Sequence, residues 1–217
     1  MTQHVGVILS GCGFQDGSEI YETVLTLLHL QQEGASVQCF APNCDQGNVI
    51  DHASGESVSE TRSAYTEAAR LARSEIQPLE AFDSEEFDAL ILPGGFGAAS
   101  TLSNFAQAGA DCYVREDVEQ AINAMADAEK PLGFICIAPV IAAKLFSNIR
   151  VTIGNNQDVA GAINSMGADH IECPVDDIVV DDTHNVATTP AYMLGPTMVE
   201  VGRGIHKLVK HILQQAQ

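Results

Sequence analysis

Apolar residues follow two rhythms along this chain, short unbroken runs and longer stretches at helical spacing. Three runs, Val5–Leu9, Ala89–Leu92 and Leu132–Ile135, have the length and continuity of strands buried on both faces. Each gives way to Gly, Pro or Cys and then to a helical pattern, the signature of βαβ units. Val37–Phe40 reads as a further strand after a break at Gly34. Helices are predicted over Glu19–Gln32 (Ile20, Val24, Leu27 and Leu28 in phase), Thr61–Ile76 (Ala64, Ala68, Leu71 and Ala72) and Val114–Ala128, the last stopped by Pro131.

Beyond Ala138 the pattern shortens. Pro139–Phe146 predicts a short helix with proline in its first turn. A strand is expected at Val151–Ile153 and a helix over Asp158–Met166. Ile178–Val180 and Val186–Thr188 flank the polar stretch Asp181–Asn185, which suggests a hairpin, and Tyr192–Gln214 predicts a closing helix. With no internal repeat or linker, one doubly wound, mostly parallel α/β domain is the simplest account of the 217 residues.

Charge narrows the partners. Twenty-nine acidic residues against ten Lys and Arg leave a formal charge of −19, which opposes binding to nucleic acid or an anionic membrane. No apolar run approaches the roughly 20 residues of a membrane span. The N-terminus lacks the pattern of a signal peptide, and the six scattered cysteines predict reduced thiols in a cytoplasmic protein. Neither metal nor cofactor is called for. His170-Ile171-Glu172-Cys173 offers ligand types but not a ligand spacing.

In open parallel sheets, ligands bind beyond the carboxyl ends of the strands. Three loops qualify: Ser10–Ser18, Pro93–Ala99 and Cys136–Pro139. Cys136 ends an apolar strand and opens a short helix, so its sulfur is expected above the sheet edge, where helix amides favour a thiolate. A buried, inert cysteine is the competing reading. The paired glycines Gly94 and Gly95 allow backbone N–H groups to face an anion, and the Ile137 N–H adds a third donor for an oxyanion. A plain tight turn is the alternative. Either Glu22 or Glu19, three residues before it, could point back at that edge, where a carboxylate beside the sulfur serves as a base. Taken alone, Glu22 also fits an ordinary dipole partner at a helix start. Gly11-Cys12-Gly13 fails the dinucleotide pattern, and no histidine is tied by position to Cys136.

Several stretches together resemble the DJ-1/PfpI superfamily of class I glutamine-amidotransferase-like proteins, within it the enhancing-lycopene-biosynthesis (ElbB) group. They are Gly6–Gly13, Asp16–Ile20, Leu92–Ala99, Pro131–Pro139, Cys173–Asp181 and Thr188–Leu194. The resemblance implies a flavodoxin-like three-layer αβα sandwich, commonly a homodimer. It further implies a nucleophilic Cys136 hydrogen-bonded by Glu22, and oxyanion donors in the loop of Gly94 and Gly95. Many members place a histidine soon after the elbow, whereas here Val151-Thr152-Ile153 leads into Gly154. That departure weakens protease and amidase readings, which need an imidazole to protonate a leaving group.

The expected activity is therefore that of a cofactor-free glyoxalase. Cys136 adds to a small dicarbonyl, Glu22 relays a proton between the two carbons, and water releases glycolate. The alternatives are a redox-responsive or regulatory protein of isoprenoid metabolism, or an amidotransferase-like partner subunit.

Overall fold

The computed structural model describes residues 2–195 and 197–216. Seven strands form the central sheet: β1 (His4–Ile8), β2 (Ser36–Ala41), β3 (Ile76–Pro78), β4 (Ala89–Leu92), β5 (Leu132–Ile135), β6 (Val179–Asp181) and β7 (Val186–Thr189). Their spatial order is β6-β7-β5-β4-β1-β2-β3, parallel throughout except for β6 against β7. The helices are α1 (Ile20–Gln32), α2 (Ala64–Leu71), α3 (Phe96–Ser100), α4 (Phe105–Ala108), α5 (Glu116–Asp127), α6 (Pro139–Leu145), α7 (Gln157–Ser165) and α8 (Met198–Gln215).

The continuous apolar runs are explained by burial on both faces. Val5, Val7, Leu9, Ala89 and Ile91 pack toward one helical layer that includes Leu30 of α1 and Val201, Ile205 and Leu208 of α8. Ile8, Leu90, Leu92 and Phe134 pack the opposite way against Val118, Ile122 and Met125 of α5 and Ile141 of α6. Each fully buried Leu or Ile contributes about 1.5–3 kcal/mol. The result is a single-domain, flavodoxin-like αβα sandwich. β1 lies between β2 and β4, so the chain winds outward in both directions from it. This switch point opens a crevice at the carboxyl ends of β1 and β4.

Three boundaries differ most from the sequence reading. The helix predicted over Thr61–Ile76 is limited to α2. Ser63 caps its start by accepting from Thr66 N–H at 3.2 Å, and Arg73 and Ser74 end it with φ of 52° and 71°. Ile76 is thereby released to pair with Cys39 in β2. The closing helix, expected from Tyr192, begins at Met198. Ala191–Met193 forms a 3₁₀ turn instead, and position 196 lies outside the described residues. Arg150–Val151 pairs with Asp169–His170 outside the main sheet, one residue earlier than the Val151–Ile153 expectation. The predicted hairpin is present as β6–β7, turned by Asn185 at φ 54°.

Candidate functional site

Two of the three predicted loops interlock before any side chain is considered. Phe96 N–H donates to Phe14 O at 2.8 Å, Gly97 N–H to Gly17 O at 3.0 Å, and Glu19 N–H to Gly94 O at 2.9 Å. Such close backbone contact excludes side chains. A Cβ on Gly95, whose φ is 96°, would collide with Glu19 N and Gly17 O. The loop after β4 is therefore fixed against the start of α1.

Cys136 follows β5 with φ of 64°, a left-handed conformation that is a genuine outlier for a residue bearing a Cβ. Tertiary contacts hold it there. Cys136 N–H donates to Thr189 O at 2.9 Å, and Ala138 N–H closes the turn on Ile135 O at 3.0 Å. Pro139 then opens α6 in the position where its missing N–H costs nothing. The elbow tips the sulfur out of the sheet toward Glu22.

Glu22 sits in the first turn of α1, fully buried. Its Oε2 accepts from Gly94 N–H at 2.9 Å and its Oε1 from Tyr192 N–H at 3.2 Å, while the carboxyl also hydrogen-bonds the Cys136 thiol. Gly94 has no freedom to change, since a Cβ there would overlap Cys136 Cβ, Glu22 Oε2 and Ile135 O. Burial pushes the Glu22 carboxyl up to about 8, with the Glu19 charge adding to the rise. The bonds from Cys136, Tyr192 and Gly94 oppose it.

Burial also pushes the Cys136 thiol well above its ordinary range. The Glu22 charge and hydrogen bond add to the rise, and the N–H groups of Gly95 and Ile137 pull the other way. Two predictions are thereby corrected. Cys136 is less open than a helix start implies: it is only 7% exposed, and burial works against the amides. Gly94 is not a free oxyanion donor, because its N–H is committed to Glu22. Gly95 and Ile137 N–H groups do meet at the sulfur.

Above the pair opens a cavity of about 670 Å³. Phe14, Phe96, Phe105, Val159 and Met193 give it apolar walls. Cys136, Ile137 and Gly95 lie on its surface, and Glu19 and the Tyr192 ring supply polar positions. Glu22 is beneath the cavity rather than on it. Among the residues lining the cavity there is no histidine and no other cysteine. His170 accepts from Ile153 N–H at 3.3 Å, and His29 stacks on His206 at 4.5 Å. Among the described residues, no three His, Cys, Asp or Glu side chains are grouped to hold a metal ion.

Sequence reasoning did not identify the Tyr192 N–H, the Thr189 carbonyl or the wall position of Glu19. The first two belong to the Thr188–Leu194 stretch, which lies next to β5 only once β7 has paired with it. A local pattern carries no trace of that.

The DJ-1/PfpI family model matches residues 12–194. The ES1 protein homolog, mitochondrial, of Rattus norvegicus is 42% identical over 97% of this chain and 83% of its own length. Glutamine amidotransferase-like class 1 domain-containing protein 3, mitochondrial, of Homo sapiens is 42% identical over 97% of this chain and 82% of its own. A crystal structure of an isoprenoid biosynthesis protein with amidotransferase-like domain from Ehrlichia chaffeensis superposes with a TM-score of 0.91. Its identity is 36%, over 97% of this chain and 99% of that one. The mitochondrial relatives overturn the cytoplasmic expectation.

Proposed function

The chain belongs to the DJ-1/PfpI family, and from that premise we propose that it is a cofactor-independent, glutathione-independent glyoxalase converting glyoxal to glycolate. The observation that carries this reading is the placement of one thiol on the floor of an apolar cavity, hydrogen-bonded from beneath by a buried carboxyl.

The ionised form of Glu22, which grows as pH rises toward about 8, takes the sulfur's proton as Cys136 adds to one aldehyde carbon. The pair then never needs to hold two negative charges in a desolvated site. The oxygen of the new hemithioacetal develops its charge beside the Gly95 and Ile137 N–H groups, which are already aimed at the sulfur. Hydrogen then moves from that carbon to its neighbour, giving a thioester of glycolate. Water cleaves the thioester and restores the thiol.

No step expels an amine, which agrees with a cavity lined without an imidazole. That feature disfavours glutamine hydrolysis.

The test compares the wild-type chain with Cys136→Ser for consumption of glyoxal and methylglyoxal, with glycolate and lactate quantified. Product formation falling to the uncatalysed background in the serine variant supports the proposal. A wild-type chain that yields no 2-hydroxy acid, or a serine variant that keeps pace with it, defeats it.

A further inference from the structure

The cavity that holds Cys136 touches one carboxylate, and it is not Glu22. Glu22 is fully buried, both its oxygens are held by backbone N–H groups, and it does not line the cavity. It can exchange a proton with the sulfur it touches. It is poorly placed to reach the carbon atoms of anything bound to that sulfur. Glu19, one helical turn earlier, is arranged the other way round. Its Oε2 accepts from Glu22 N–H at the start of α1, and the residue lines the cavity wall. Its own N–H donates to Gly94 O at 2.9 Å, so its backbone is fixed to the loop whose Gly95 N–H points at the sulfur.

We propose that Glu19 is a second catalytic carboxylate, which removes the hydrogen from the sulfur-bound carbon of the substrate and returns it to the adjacent carbon. The inference rests on the glyoxalase reading and divides its proton work between two glutamates. In the hemithioacetal, Cys–S–CH(OH)–CHO, Glu19 takes the C–H proton. The electron pair forms the carbon–carbon double bond of an enediol, with the former aldehyde oxygen accepting charge. The hydroxyl proton on the first carbon passes to the charged oxygen on the second, the protonated Glu19 delivers its proton to the second carbon, and the first becomes the thioester carbonyl, Cys–S–C(=O)–CH₂OH. Atoms and electrons balance within the substrate, so no external oxidant or reductant is required.

The surroundings suit such a base. Burial raises the Glu19 pKa, against the opposing N–H groups of Glu22, Tyr21 and Ile20, and a raised pKa strengthens a carboxylate as a proton acceptor. The neighbouring walls are the aromatic side chains of Phe14, Phe96 and Tyr21.

Glu19→Gln separates this role from helix capping, because the amide oxygen still accepts from Glu22 N–H but the side chain cannot carry a proton. Three measurements decide the matter: glycolate formation, alkylation of Cys136 by iodoacetamide, and the kinetic isotope effect with dideuterated glyoxal. We expect glycolate formation to fall about 10²–10⁴-fold. Alkylation should stay within about twofold of wild type, and the isotope effect should rise as C–H cleavage becomes the slowest step.

Three results overturn the proposal. If Glu19→Gln keeps wild-type turnover, Glu19 is not the base and the glyoxalase reading survives. If turnover and alkylation fall together with an unchanged isotope effect, Glu19 only supports the helix start. If the wild-type chain makes no glycolate, both readings fall together.

Discussion

Cys39, within β2, and Cys136, just past the end of β5, are both buried cysteines, and they have opposite prospects. Cys39 lies within β2, 4% exposed, and burial alone pushes its thiol up to about 12. Cys136 is buried almost as deeply, yet two backbone N–H groups reach its sulfur and a carboxyl stands ready for its proton. Burial therefore does not decide which thiol can react. The backbone does: in β2 the amides are spent on neighbouring strands, whereas the left-handed turn at Cys136 frees amides to point at sulfur.

The most severe way to break this contrast is Gly94→Ala. The new methyl group would overlap Cys136 and Glu22 where both are immobile, so displacement on the order of 1 Å is expected. Glycolate formation should drop by about 10²-fold or more, with circular dichroism used to confirm that the chain remains folded. Retained activity would mean that the thiol–carboxyl contact is dispensable.

Glu22→Gln sharpens the contrast through pH. Removing the carboxyl removes a charge that raises the sulfur's pKa, so the pH midpoint for iodoacetamide alkylation should move down even as turnover is lost. Stability responds as well. With its pKa raised to about 8, the folded chain keeps a proton that the unfolded chain releases near its ordinary carboxylate range. Wild-type stability should therefore fall with rising pH across that window, by about 1.4 kcal/mol per pH unit. The glutamine variant should lose this slope. Urea titrations at pH 5, 6 and 7 would show it, and parallel curves for both chains would refute the burial argument.

The smallest effect belongs to Cys39→Ala. Activity should be unchanged, and stability should drop by about 1 kcal/mol for a small buried group lost from β2. A substantial change in turnover would make Cys39 more than packing.

The strands were legible because double burial writes unbroken apolar runs, and β4 and β5 match them residue for residue. The end of α2 was not, because Arg73 and Ser74 adopt left-handed conformations without a glycine to announce them. Cys136 and Glu22 could be placed at one sheet edge from strand and helix positions. Their protonation could not, because it depends on how completely loops distant in sequence exclude water. Glu19 was legible as a carboxylate that could point at the same edge, but its place on the cavity wall was not, because that wall is built by loops distant in sequence.

The left-handed backbone at Cys136 has a bearing on biogenesis. Beyond the local turn closed by Ala138, its anchors are distant in sequence: its amide relies on Thr189, its side chain on Glu22 and its clearance on Gly94, drawn from regions 42 to 114 residues away. A nascent or partly unravelled chain thus carries an ordinary cysteine, and the reactive one comes into being only when the sheet's middle has closed. Reactivity at this position reports that the whole domain has been completed.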